Sequence, residues 1–115
     1  MTDPKARLLA ENVAEFYTQG KFAFSKGAYN SAVSLFFKAL AVLADWHVLR
    51  VQGFVPKSHA ERFRILEQRF KSIYAVLDKD FPAYQDSYKI KVGKDVAEVL
   101  LDDAERLAKE VGFPL

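Results

Sequence analysis

The sequence predicts an all-α fold, an antiparallel up-and-down four-helix bundle, on three observations. Apolar residues recur at steps of three and four through four long segments, the spacing of one helix face. Gly (5) and Pro (4) are too few among 115 residues for a many-turned β fold, and most of them fall between the segments. The connections are short, so sequential helices are expected to lie antiparallel.

The first segment runs from Pro4 to Phe24, with Asp3 as N-cap and Pro4 in the first turn. Leu9, Val13, Phe16, Gly20 and Ala23 form its stripe. Gly20 costs about 1 kcal/mol against Ala inside a helix, so another helix is expected to pack closely on it. Gly27 ends the segment. The second segment, Ala28 to Gln52, is apolar nearly all round, from Ala32 and Val33 to Trp46 and Leu49. Such a helix is surrounded on most sides, either at the centre of a bundle or by a second subunit. It is too apolar for a lone small bundle to cover, so a homodimer sharing residues 28–52 is the expectation. Ser31, Ser34, Lys38, Asp45 and Gln52 make its polar strip, with His47 opposite.

Gly53 to Pro56 is the next break, and Ser58 with Glu61 forms a capping box. Phe63, Leu66, Phe70, Ile73 and Leu77 then repeat as one helix over the following twenty residues. Asp78 to Gly93 reads as irregular, because Pro82 blocks simple continuation. Phe81, Tyr84 and Tyr88 fit one face of a short turn, which leaves room for a short fifth helix around residues 80–90. The last segment runs from Gly93 or Lys94 to Val111 on Ala97, Leu100, Ala104, Leu107 and Val111, and Gly112 and Pro114 end it. At 115 residues the chain makes one domain, 1–115, with no linker or repeat.

Composition narrows the function. Seventeen Lys and Arg against 15 Asp and Glu leave a net charge of +2, which carries no strong nucleic-acid signal. There is no cysteine, so disulfides and thiolate metal sites are excluded and a cytoplasmic home is expected. The N-terminus lacks the pattern of a signal peptide. The apolar stretch Ala39–Leu49 is interrupted by Asp45 and His47 and falls short of the roughly 20 residues that cross a bilayer, so no membrane partner is expected. His47 and His59 lie on different helices without a carboxylate pairing, and no metal or cofactor is expected. No phosphate loop, cysteine nucleophile or hydrolase-type serine turn is present.

The polar residues that stand out are assigned to ligand binding and not to catalysis. His59 opens the third helix on its apolar side, with Arg62 one turn on as its cationic neighbour. Lys38 and Asp45 share one side of an otherwise apolar helix, as a solvated strip or the wall of a polar groove. Arg62, Arg69 and Lys71 offer cations to phosphates, diluted by Glu61 and Glu67. Tyr84 and Tyr88 offer rings on which a base stacks. The candidate ligand-binding set is Lys38, Asp45, His59, Arg62, Tyr84 and Tyr88.

Gly27-Ala28-Tyr29-Asn30-Ser31-Ala32 followed by Phe37-Lys38-Ala39-Leu40 resembles the heart of a tetratricopeptide repeat, but one 34-residue period on lies Glu61 with no matching pattern. The same turn into a long helix, with Pro56-Lys57-Ser58-His59, the segment Tyr84 to Tyr88 and the Asp95-Val96-Ala97…Asp103-Ala104 helix, resembles the HEPN domain (higher eukaryotes and prokaryotes nucleotide-binding) over residues 6 to 111. The resemblance implies a helical bundle that dimerises through its long helices. It also implies a minimal nucleotidyltransferase as partner, in a toxin–antitoxin-like pair in prokaryotes, and a nucleotide as ligand. Ribonuclease members of that family use an arginine, then four to six residues, then a histidine. Here Leu40, Ala41 and Val42 precede His47 at that distance, and Gln52, Gly53 and Phe54 precede His59. The expectation is therefore a non-catalytic, homodimeric HEPN-like binding protein. The alternatives are a ribonuclease with a displaced site, built on His59 with Arg62 or Arg69, and a tetratricopeptide-like adaptor that binds a peptide.

Overall fold

In the computed structural model, which describes residues 3–115, the chain is all-helical, with five helices and no strand among the described residues. They are α1 (Pro4–Ser25), α2 (Tyr29–Gln52), α3 (His59–Arg69), α4 (Lys71–Asp86) and α5 (Lys94–Val111). The starts follow the sequence signals. The Asp3 carboxylate accepts from the Lys5 N–H at 2.8 Å. Ser58 Oγ accepts from the Glu61 N–H at 3.1 Å, while Glu61 reaches back to the Lys57 N–H at 3.0 Å. The left-handed Gly53 and Gly112 close α2 and α5.

Helix α2 is the axis of the core. It packs mostly against α1, then against α5 and α4. The close approach expected at Gly20 is met by Phe36: a Cβ at Gly20 would lie 2.6 Å from that ring. The expectation that one chain cannot cover α2 does not hold. Val33, Phe36, Phe37, Leu40, Leu43 and Val48 are all buried within the single chain. The glycine contact lets α1 lie tight on one side, and α4 and α5 close the other. The need for a second subunit to cover this helix therefore disappears. By length and average composition α2 is apolar enough to cross a membrane, but 67% of its most apolar window is buried against its own chain.

The main departure lies beyond Ser58. The single helix expected through Leu77 is broken at Phe70, whose backbone leaves the helical region (φ −137°, ψ 67°). The chain then starts α4, which runs through Pro82 to Asp86. The stretch read as irregular from Asp78 is thus helical as far as Asp86, and the additional helix arises at the Phe70 break, not as a short piece around 80–90. Pro82 is tolerated because it is exposed and α4 is held by Ile73 and Leu77 in the core and by stacking of Tyr84 on Phe37.

The break folds α3 back along α4. Eighteen residues of unbroken helix span about 27 Å, yet the ring centroids of Phe63 and Phe81 are only 5.5 Å apart. Phe70 itself packs edge-on to His47 of α2 at 5.3 Å. The loop after α4 is held from the far side by Asn30. Its amide donates to the carbonyls of Ser87 (2.9 Å) and Ile90 (2.6 Å), and its oxygen accepts from the Val92 N–H at 3.1 Å.

Candidate functional site

The fold-back of α3 on α4 makes an open groove of about 360 Å³ lined by His59, Ala60, Phe63, Tyr74, Asp78 and Phe81. His59, Ala60 and Phe63 come from the first turns of α3, where the Ser58 cap fixes the helix start. Tyr74, Asp78 and Phe81 are spaced by four and three along α4 and so share one face. Phe63 stands nearly perpendicular to Tyr74 (86°, 6.2 Å) and steeply to Phe81 (64°, 5.5 Å). The rings thus form a corner with faces turned in different directions.

Behind this wall three of the predicted residues come together. Arg62 grips Asp45 of α2 with both ends of its fork, Nε to Oδ1 and Nη2 to Oδ2, each 2.8 Å. The pair is nearly buried, with side chains 13% and 7% exposed. Asp45 is therefore no part of a solvated strip. Arg62 Nη1 lies 2.8 Å from His59 Nδ1. A guanidinium has donors only, so Nδ1 must accept, and the neutral ring carries its proton on Nε2. Burial first, and then the Arg62 charge, hold the His59 pKa below its usual value, with Asp45 opposing in part. His59 is thus a neutral N–H donor at neutral pH, presented beside Phe81 (centroids 6.2 Å).

Tyr84 and Tyr88 form a second group. Their hydroxyls are 2.8 Å apart, and Tyr84 stacks on Phe37 at 4.7 Å. Burial, and then the bond and proximity to Tyr88, push the Tyr84 phenol up to about 12. Tyr88 is 69% exposed and borders a different groove, of about 350 Å³, with Asn30, Ser31, Ser34, Leu35 and Ser87. Phe81 and Tyr84, 6.2 Å apart, join the two grooves by an aromatic row. Lys38 is exposed and lines neither groove. Arg69 and Lys71 are exposed and flank the Phe70 break, away from the groove lining.

Phe63, Tyr74, Asp78 and Phe81 were not among the sequence candidates for this site. The signal that names three of them is the 74–78–81 spacing, which is legible only if the helix is carried through Pro82. No family model, curated protein or solved structure matches the chain.

Proposed function

We propose that this chain is a non-catalytic binding module, a helical bundle of HEPN-like type, that captures a segment of a partner protein in the α3–α4 groove. One observation carries the reading. The groove has aromatic walls, a neutral histidine donor and one exposed carboxylate, and Asp78 is the one formally charged side chain among the described residues lining it. Nothing in that lining offers a phosphate a cation, so a partner's loop suits the groove better than a nucleotide does. Arg62, the cation nearest to His59, has three of its N–H groups directed to Asp45 and His59. That tethering favours binding over a displaced ribonuclease site, which would need a charge free to meet the scissile phosphate.

The resemblance supplies the class of partner, a minimal nucleotidyltransferase, and a homodimer as the working assembly. Since α2 is covered by its own chain, a dimer would use another face. The test is selection from a displayed peptide library on the wild-type protein, counter-screened on Phe63→Ala, with RNA cleavage assayed in parallel for wild type and His59→Ala. The reading expects enriched peptides that lose binding on Phe63→Ala, and no His59-dependent cleavage. Enriched peptides that bind the variant undiminished, or cleavage abolished by His59→Ala, would contradict it.

A further inference from the structure

We infer that the side chain received by the α3–α4 groove is a guanidinium, an arginine of the partner segment, seated against the rings of Phe63, Tyr74 and Phe81 and paired with the Asp78 carboxylate. This rests on the groove being the binding surface and names what it selects. Three observations lead there. The groove offers aromatic faces, whose negative quadrupole attracts a cation, in a corner made by rings at 64° and 86° to one another. Asp78 is exposed and engaged in no ion pair among the described residues, so its carboxylate is free to accept a fork of two N–H donors. The site carries negative potential: the Tyr74 phenol is held above its usual pKa by Asp78 first, then by Glu67, with slight burial adding.

The remaining groups agree with a peptide as the source. Among the described residues no Lys or Arg lines the groove, and Arg62 behind its wall is paired with Asp45. His59 is neutral, with its proton on Nε2, and supplies a donor that a bare cation cannot use. The carbonyl of a peptide bond can. The chemistry is therefore split between two parts of one ligand, the side chain against the rings and Asp78, and the backbone against His59.

The test titrates the tripeptides Ac-Gly-Arg-Gly-NH2 and Ac-Gly-citrulline-Gly-NH2, and AMP, into the full chain, following the Phe63, Tyr74 and Phe81 ring resonances by NMR. Citrulline keeps the shape of arginine and removes its charge. Expected are shifts of those rings with the arginine peptide, binding about fivefold tighter than for citrulline, and loss of that difference in Asp78→Asn. Asp78 is exposed, and an unchanged spectrum away from the groove shows that the variant is folded. Equal binding of both peptides, or stronger shifts of these rings with AMP, would overturn the guanidinium assignment and leave the groove as a site. If no groove resonance moved with any of the three, both the assignment and the groove reading would fall.

Discussion

The Arg62–Asp45 pair is where one residue's chemistry reaches farthest. Asp45 sits on the most buried helix, and its charge is tolerated because two N–H groups of Arg62 meet it at 2.8 Å. Removing one member of such a pair leaves the other buried and uncompensated, at a cost of about 3–5 kcal/mol. Arg62→Ala is expected to lower stability by that order in urea unfolding. The double change Asp45→Leu with Arg62→Met, which removes both charges, is expected to recover most of the loss. It would also free His59 from its anchor. A second residue-scale device lies between α4 and α5. Lys79 Nζ is 2.7 Å from Asp103 and 3.5 Å from Asp80, while Asp80 Oδ2 is buried without a partner. A protonated Asp80 carboxyl is a donor, and the neighbouring Asp103 carboxylate can accept from it. Accordingly burial, then the bond to Asp103 and that group's charge, push the Asp80 pKa up to about 8, with Lys79 opposing. Asp103 goes the other way: burial disfavours its charge, but hydrogen bonds from Asp80 and Lys79, and the charges of Lys79 and Arg106, hold it low. A pKa raised on folding means that the folded state binds the proton more tightly, so its contribution is complete below about pH 4 and is lost as pH rises to about 8. The melting temperature of the wild type is expected to fall as pH is raised from 6 to 9. Asp80→Asn, which cannot ionise, is expected to show a much flatter profile over the same range.

At the scale of elements, α1 and α2 approach closely because Gly20 has no side chain. Alanine is the better helix former by about 1 kcal/mol, so propensity alone predicts that Gly20→Ala stabilises. Its Cβ would lie 2.6 and 2.7 Å from two atoms of the fully buried Phe36 ring, and overpacking of this kind costs about 1–3 kcal/mol. Thermal unfolding is therefore expected to show Gly20→Ala less stable than the wild type. This contact was legible in the sequence, as were the ends of α1, α2 and α5, because glycine, proline and capping residues act locally. The break at Phe70 was not legible. Phe63, Leu66, Phe70, Ile73 and Leu77 keep one period across it, and what ends the helix there is tertiary: Phe70 packs on His47, and Phe63 on Tyr74 and Phe81. The unbroken period conceals the groove, which exists only where α3 doubles back on α4. His59 and Arg62 stand out in the sequence because their residue types are unusual at those positions. Tyr74 and Phe81 do not stand out, because a helical aromatic resembles any other core residue until its partners are known.

At the scale of the molecule, a single chain covers its most apolar helix and leaves its openings at the surface. Two of its surface grooves are joined by the row Tyr74, Phe63, Phe81, Tyr84 and Tyr88. The first of them, between α3 and α4, is the proposed recognition surface. Hydrogen–deuterium exchange of the full chain, with and without a peptide selected on it, measures this most directly. Slower exchange on binding is expected in residues 59–66 and 72–83, with little change in residues 28–38. Protection confined to residues 28–38 and 84–92, around Tyr88 and Asn30, would contradict the account and move the binding surface to the other groove.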